Sequence, residues 1–188
     1  MPLVVTNAPS SDDPDGGFVF GSGNLLTQVG VIYTLNERWA FAAGSQLTFP
    51  TASRQATGSG TYTALPGAVL RYMLPELSPG SFFAPEVLYE FDVGGDTGDG
   101  HVSELQLQPT LDWELPHGVF LNLFPSADIR VNLGRGRSRG RWFFPFDVLA
   151  GVLVTPQLVT SLEVSVPLVK GYPVYDFKLE ATIAYFFD

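Results

Sequence analysis

Tyr175-Asp176-Phe177-Lys178-Leu179-Glu180-Ala181-Thr182-Ile183-Ala184-Tyr185-Phe186-Phe187-Asp188, the end of the chain, decides the fold class. Its odd positions (Tyr175, Phe177, Leu179, Ala181, Ile183, Tyr185 and Phe187) are all apolar. Its even positions are Asp176, Lys178, Glu180, Thr182, Ala184, Phe186 and Asp188, mostly polar. A strand points successive side chains to opposite faces, so this period of two writes a sheet with one greasy surface and one polar surface.

Upstream the pattern recurs. In 104–115, Leu105, Leu107, Pro109, Leu111, Trp113 and Leu115 oppose Glu104, Gln106, Gln108, Thr110, Asp112 and Glu114. In 83–93, Phe83, Pro85, Val87, Tyr89, Phe91 and Val93 oppose Glu86, Glu90 and Asp92. From Val119 to Leu133 the polar set includes Asn122, Ser126, Asp128, Arg130 and Asn132. Segments 39–49, 63–74, 142–155 and 158–169 alternate more loosely, and 25–35 most weakly. Helical periodicity is almost absent. These nine segments mostly run 11 to 15 residues, longer than the roughly 5 or 6 usual in soluble sheets. A tilted strand needs roughly 9–11 residues to cross hydrocarbon.

The breaks alternate in length. Short ones fall near Asn36-Glu37, Leu74 to Pro79, Pro116-His117-Gly118 and Thr155-Pro156-Gln157, recurring about every 40 residues. Longer ones, Thr51 to Gly60, Gly94 to Val102 and Gly134 to Arg141, lie between them with a shorter one at Gly171 to Pro173. Barrels with short periplasmic turns and longer outer loops have this rhythm. Aromatics gather near segment ends, among them Trp39, Phe49, Phe82, Trp142, Tyr172 and Tyr185, as in the interfacial belts of such barrels. The predicted fold is an all-β, antiparallel up-and-down transmembrane β-barrel of about 9–12 strands. Residues 24–188 form the barrel domain and 1–23 an N-terminal loop or tail. Strand prolines (Pro66, Pro85, Pro109, Pro125, Pro145, Pro167) are expected near strand ends or bulges, because each removes a ladder donor.

Composition agrees. The 188 residues carry only 15% charged side chains, while aromatics reach 13% and Phe (15) outnumbers Lys and Arg together (10). A soluble surface normally carries more charge. The net charge of -9 excludes nucleic acid as an expected partner, because phosphate binding needs clustered basic residues. Cysteine is absent, so there is no disulfide framework or thiolate site. No run of 18 apolar residues writes a transmembrane helix. Met1-Pro2-Leu3-Val4-Val5 has no basic n-region or long apolar h-region, so the expectation is that the sequence was trimmed or that the true start lies upstream.

Phe49-Pro50-Thr51-Ala52, Gly58-Ser59-Gly60, Gln108-Pro109, Leu115-Pro116-His117-Gly118, Arg141-Trp142 with Pro145, and the closing Phe177–Phe187 strand occur in an order that resembles a family. It is that of the outer-membrane proteins assigned to a MetA pathway of phenol degradation. The glycine-rich Gly21-Ser22-Gly23-Asn24 looks like that family's lead-in to a strand, and the similarity spans roughly 17–188. The resemblance implies a bacterial outer-membrane barrel that moves small, aromatic or hydrophobic molecules. Family members usually add a signal peptide and further strands ahead of this region, and commonly finish on an aromatic residue where this chain has Asp188.

The polar face supplies the candidate site. The expected lumen-lining residues are Glu86, Glu90, Glu104, Gln106, Gln108, Asp112, Asp128, Arg130, Asp147, Glu163, Asp176, Lys178 and Glu180. Such an acidic lumen favours cations over anions if open; the bland alternative is a charge network that plugs the barrel. Arg135, Arg137, Arg139 and Arg141 form the one basic cluster, suited to lipopolysaccharide phosphates or simply a solvated loop. Asp92, Asp96 and Asp99 near Gly94-Gly95 and Gly98 fit no EF-hand spacing. His101 and His117 lie at a loop and a turn, and no Gly-x-Ser-x-Gly elbow occurs. No catalytic residue, metal or cofactor is expected. The expected partners are outer-membrane lipid and a small solute. The competing readings are a non-conducting structural or anchoring barrel and a soluble lipocalin-like barrel around an apolar ligand.

Overall fold

The computed structural model describes residues 3–6, 17–95 and 101–187. Asp96, Gly98, Asp99 and Asp188 lie outside the described residues, as does much of the 1–23 segment. The described chain is all-β, with two single-turn 3-10 segments and no α-helix.

The strands are β1 (Leu3–Thr6), β2 (Val19–Ser22), β3 (Leu25–Thr34), β4 (Trp39–Phe49), β5 (Thr61–Met73), β6 (Phe82–Gly95), β7 (Ser103–Glu114), β8 (Val119–Leu123), β9 (Ile129–Asn132), β10 (Trp142–Thr155), β11 (Leu158–Lys170) and β12 (Lys178–Tyr185). Each of β3 to β12 pairs antiparallel with its neighbour in chain order, except that β8 and β9 together fill one place between β7 and β10. The result is an up-and-down meander. Its two margins are β3 and β12, which run in the same direction. Within the segment expected as a tail, β1 pairs with β2. On the other side, the backbone N–H of Ser53 donates to the Ser22 carbonyl and the Ser22 N–H donates to Ser53 Oγ. Ser53 follows β4, so the β1–β2 pair is anchored to the segment after β4.

Side-chain placement inverts that of a soluble domain. Among the described residues eleven polar or charged side chains are buried against seven hydrophobic ones and Pro145, and Asp147 and Ser165 are fully buried. Meanwhile Ile32, Val87, Leu162, Leu179 and Ile183 are all at least 48% exposed. Soluble monomers seldom show an apolar surface on this scale. The registers explain it. Glu86 opposes Gln108, Asp112 opposes Asn122, Asp147 opposes Ser165 and Glu163 opposes Glu180, so one polar face runs from strand to strand.

Two boundaries differ from the sequence reading. The final strand starts at Lys178, not Tyr175, because Gly171 to Phe177 is a run of bends. The 119–133 segment is two strands, not one. Phe124 takes a positive φ of 52°, and Pro125 follows it. The prolines account for this break. Pro109 on β7 falls between the β8 pairing at 111–114 and the β9 pairing at 104–107. Pro145 on β10 falls between the β9 pairing at 142–143 and the β8 pairing at 148–152, beside a register shift with β11. Proline offers no N–H, so both flanking strands withhold donors at one level, and the intervening chain leaves the ladder there. Gln108 Nε2 donates to the Pro125 carbonyl and Thr110 Oγ1 to the Phe124 carbonyl, so side chains satisfy what the ladder gives up. The expectation for strand prolines holds at the Pro145 bulge. Pro85 and Pro109 instead face each other in mid-strand.

Candidate functional site

The break at 124–128 turns Ser126 and Asp128 into the interior, and the site assembles around them. Asp128 is the hub. Its Oδ1 accepts from Arg130 Nη2 at 2.5 Å, and its Oδ2 accepts from Lys178 Nζ at 2.6 Å and from the Tyr175 hydroxyl at 3.1 Å. Arg130, on β9, reaches on to Glu104 of β7 at 3.7 Å. Lys178, the first residue of β12, reaches on to Glu163 of β11 at 2.5 Å and lies 5.9 Å from the Tyr175 ring centre. Ser126 Oγ also donates to Glu163. On β6, Glu90 accepts from Gln106 Nε2 at 2.7 Å and from Thr63 Oγ1 at 3.0 Å. Ion pairs and hydrogen bonds thus link β12, β11, the break, β9 and β7, and the Glu90 group on β5 to β7 lies beside them, Glu90 directly opposite Glu104.

On the other flank, Asp147 of β10 receives a hydrogen bond from Ser165 Oγ, and Ser165 Oγ is hydrogen-bonded to the Tyr175 hydroxyl at 2.6 Å. The second oxygen, Oδ2, is buried without a partner, as are Arg130 Nε and the Tyr172 hydroxyl. One carboxylate oxygen from each of Asp128, Asp147 and Glu163 lies within 4.8 Å of the others. Above this network, toward the long-loop end, is a cavity of about 660 Å³ bordered by Arg54, His101, Glu104, Asn132 and Tyr172.

The expected lumen residues divide by place. Glu90, Glu104, Gln106, Asp128, Arg130, Asp147, Glu163 and Lys178 join the network. Gln108 serves the break, and Asp112, on the same face, lies lower and is buried. Glu86 is half-buried on β6, and Glu180 is on the interior face of marginal β12 but exposed. Asp176 is the correction: it sits in the bends before β12, its side chain 90% exposed, paired with Lys170. Arg135, Arg137, Arg139 and Arg141 are all exposed between β9 and β10; Arg141 Nη1 donates to the Gly171 carbonyl.

Sequence alternation missed Tyr172, Tyr175, Ser165 and Phe143 as interior residues. It had put Tyr175 on the greasy face. Because the chain bends at 171–177, the count of two is lost there and the Tyr175 hydroxyl turns inward, its ring 4.9 Å from that of buried Phe143. The Gly171-Tyr172-Pro173 signature was the available cue. Compared with family models, curated proteins and solved structures, the chain matches none.

Proposed function

We propose that this protein is a transmembrane β-barrel of the bacterial outer membrane that passes small solutes and disfavours anions. The observation carrying the reading is the inverted polarity. Aliphatics and rings cover the outward face of a long-stranded meander, while carboxylates fill the interior. In lipid every backbone group must be paired, which a closed antiparallel sheet achieves. Closure belongs to this proposal. Because β3 and β12 run the same way, an all-antiparallel closure takes one further strand between them.

Solute enters at the long-loop end, into the cavity floored by Glu104 and Tyr172. Its volume suits a molecule of drug-like size or smaller. The carboxylates below it raise the local concentration of cations and repel anions. The resemblance of the motif order to that of the MetA-pathway proteins adds small aromatic compounds to the proposed solutes. A second reading has one observation in its favour. The pairs linking Lys178, Asp128, Arg130 and Glu104 cross the interior, as they would in a non-conducting, structural barrel.

Planar-bilayer recording of the purified protein under a salt gradient separates the two. A reversal potential showing cation preference supports the channel. Stable incorporation with no conductance and no solute entry into liposomes refutes it in favour of the structural barrel. Monomeric behaviour in plain buffer, with the rings sequestered, overturns both.

A further inference from the structure

The interior network holds more negative charge than its cations neutralise. Its carboxylates are Glu90, Glu104, Asp128, Asp147 and Glu163, five in all, and its cations are Arg130 and Lys178, two, which leaves three uncompensated. The shortfall is local. Arg130 is shared by Asp128 and Glu104, and Lys178 by Asp128 and Glu163. Asp147 has neither. It is fully buried, one oxygen takes the Ser165 hydroxyl, and the other faces no donor. A buried carboxylate oxygen without donor or counter-charge is costly, and a protein retains one where something else neutralises it.

We propose that Asp147, Glu163 and Asp128 bind a calcium ion, with Lys178 as a tethered cation competing for the same place. The donor set points to this class of ion. Every candidate ligand atom is oxygen: three carboxylates, bordered by Ser165 Oγ, Ser126 Oγ and the Tyr175 hydroxyl. Oxygen-only sites take hard cations. Coordination geometry then favours calcium among them. Ligand oxygens on one calcium ion sit about 2.4 Å from it, so two of them lie at most about 4.8 Å apart. The three carboxylate oxygens already meet that limit. Magnesium, with bonds of about 2.1 Å, demands strict octahedral geometry, which suits carboxylates on paired strands less well.

The ligands come from the 124–128 break, β10 and β11. A bound ion would therefore pin the break to the two strands after it. Lys178 does part of this without the ion, and its four-carbon stem, on a marginal strand, lets the ammonium withdraw. The site uses only interior groups, so it stands or falls apart from the conduction reading.

The test uses the full chain refolded in a neutral, phosphate-free detergent, with calorimetric titration of calcium chloride and thermal melts followed by tryptophan fluorescence. Magnesium chloride and sodium chloride at equal ionic strength are the comparison arms. Calcium should bind and raise the melting temperature more than magnesium does. Lys178→Met should bind calcium at least tenfold more tightly than wild type, because the tethered competitor is gone. Asp147→Asn should bind it at least tenfold more weakly. Should Asp147→Asn fail to fold, Glu163→Gln takes its place with the same expectation. The proposal is overturned if up to about 10 mM calcium, the weak end of natural sites and beyond, does no more than magnesium in both wild type and Lys178→Met. Calcium affinity within twofold of wild type in the carboxylate variant overturns it equally.

Discussion

Replacing Val87 by arginine separates a lipid-facing surface from a water-facing one. Val87 lies near the middle of the 14-residue β6 and is 50% exposed on the greasy face. A strand rises about 3.3 Å per residue, and a tilt of about 40° leaves about 2.5 Å along the membrane normal. The whole of β6 then spans about 35 Å, and an apolar band of about 25 Å covers about ten of its residues. Val87 falls near the midplane. Val93, six residues on and 56% exposed, falls about 15 Å away, at the interface. Arginine on the lipid face costs about 2–4 kcal/mol at the midplane and about 0–1 near the interface. In water both are exposed surface sites, where substitution changes stability by about 0.5 kcal/mol or less. The assay is reversible denaturant unfolding in phospholipid vesicles, read by tryptophan fluorescence and by heat-modifiable gel mobility. Val87→Arg should lose at least about 2 kcal/mol and Val93→Arg under about 1. Equal, near-zero effects at both positions would refute the outward assignment of the apolar face.

Arg130→Met should destabilise the protein by about 3 kcal/mol, since it leaves half-buried Glu104 without its cation and takes one of the two cations from buried Asp128; a loss under about 1 kcal/mol in denaturant unfolding would show that the network is hydrated. Gly44→Ala should cost about 1–3 kcal/mol, because an added Cβ would meet the Val29 carbonyl and Gly30 Cα and push β3 from β4; unchanged unfolding would disprove that close approach. At the short-turn end, Glu76 is held below the ordinary glutamate range by a hydrogen bond from its own backbone and then by Arg38 at 2.7 Å. A lowered folded value means its contribution is present above the unfolded value and lost as pH falls through the folded one. A double-mutant cycle of Arg38→Gln and Glu76→Gln should therefore show a small coupling at neutral pH that fades as pH falls from the ordinary glutamate range through the lowered folded value. Coupling that persists in acid would contradict the pairing.

What the sequence made legible is what depends on neighbours two residues away. The nine alternating segments, their polar and apolar faces and the short turns between them follow from a local period, and the structure has strands at each. What it left dark depends on neighbours across the sheet. Pro109, Pro125 and Pro145 are 16 and 20 positions apart in the chain, and only the register puts them at one level. The break between β8 and β9 and the support from Gln108 and Thr110 are consequences of that coincidence. Tyr175 was misplaced for a related reason. A period of two holds only while the chain stays extended, and the bends at 171–177 reset it.

The same break links fold to chemistry. A meander whose every residue paired in a ladder would hold its interior carboxylates in rows, each opposite another, as Glu90 is opposite Glu104 and Glu163 opposite Glu180. Like charges directly across a strand pair repel. By leaving the ladder for five residues, the chain swings Asp128 out of its row to a point where Arg130 and Lys178 both reach it. That move gathers both interior cations around one carboxylate and leaves Asp147 without one. Neutralising the hub and exposing the unpaired oxygen are therefore two results of one irregularity. Restoring donors on both flanking strands, with Pro109→Val and Pro145→Val together, removes the proline constraint on both sides of the break. If proline placement causes the break, hydrogen exchange at the amides flanking 124–128 should slow as pairing extends, and the Lys178–Asp128 contact should weaken; exchange identical to wild type would mean that the polar network, not the prolines, holds the chain out of the ladder.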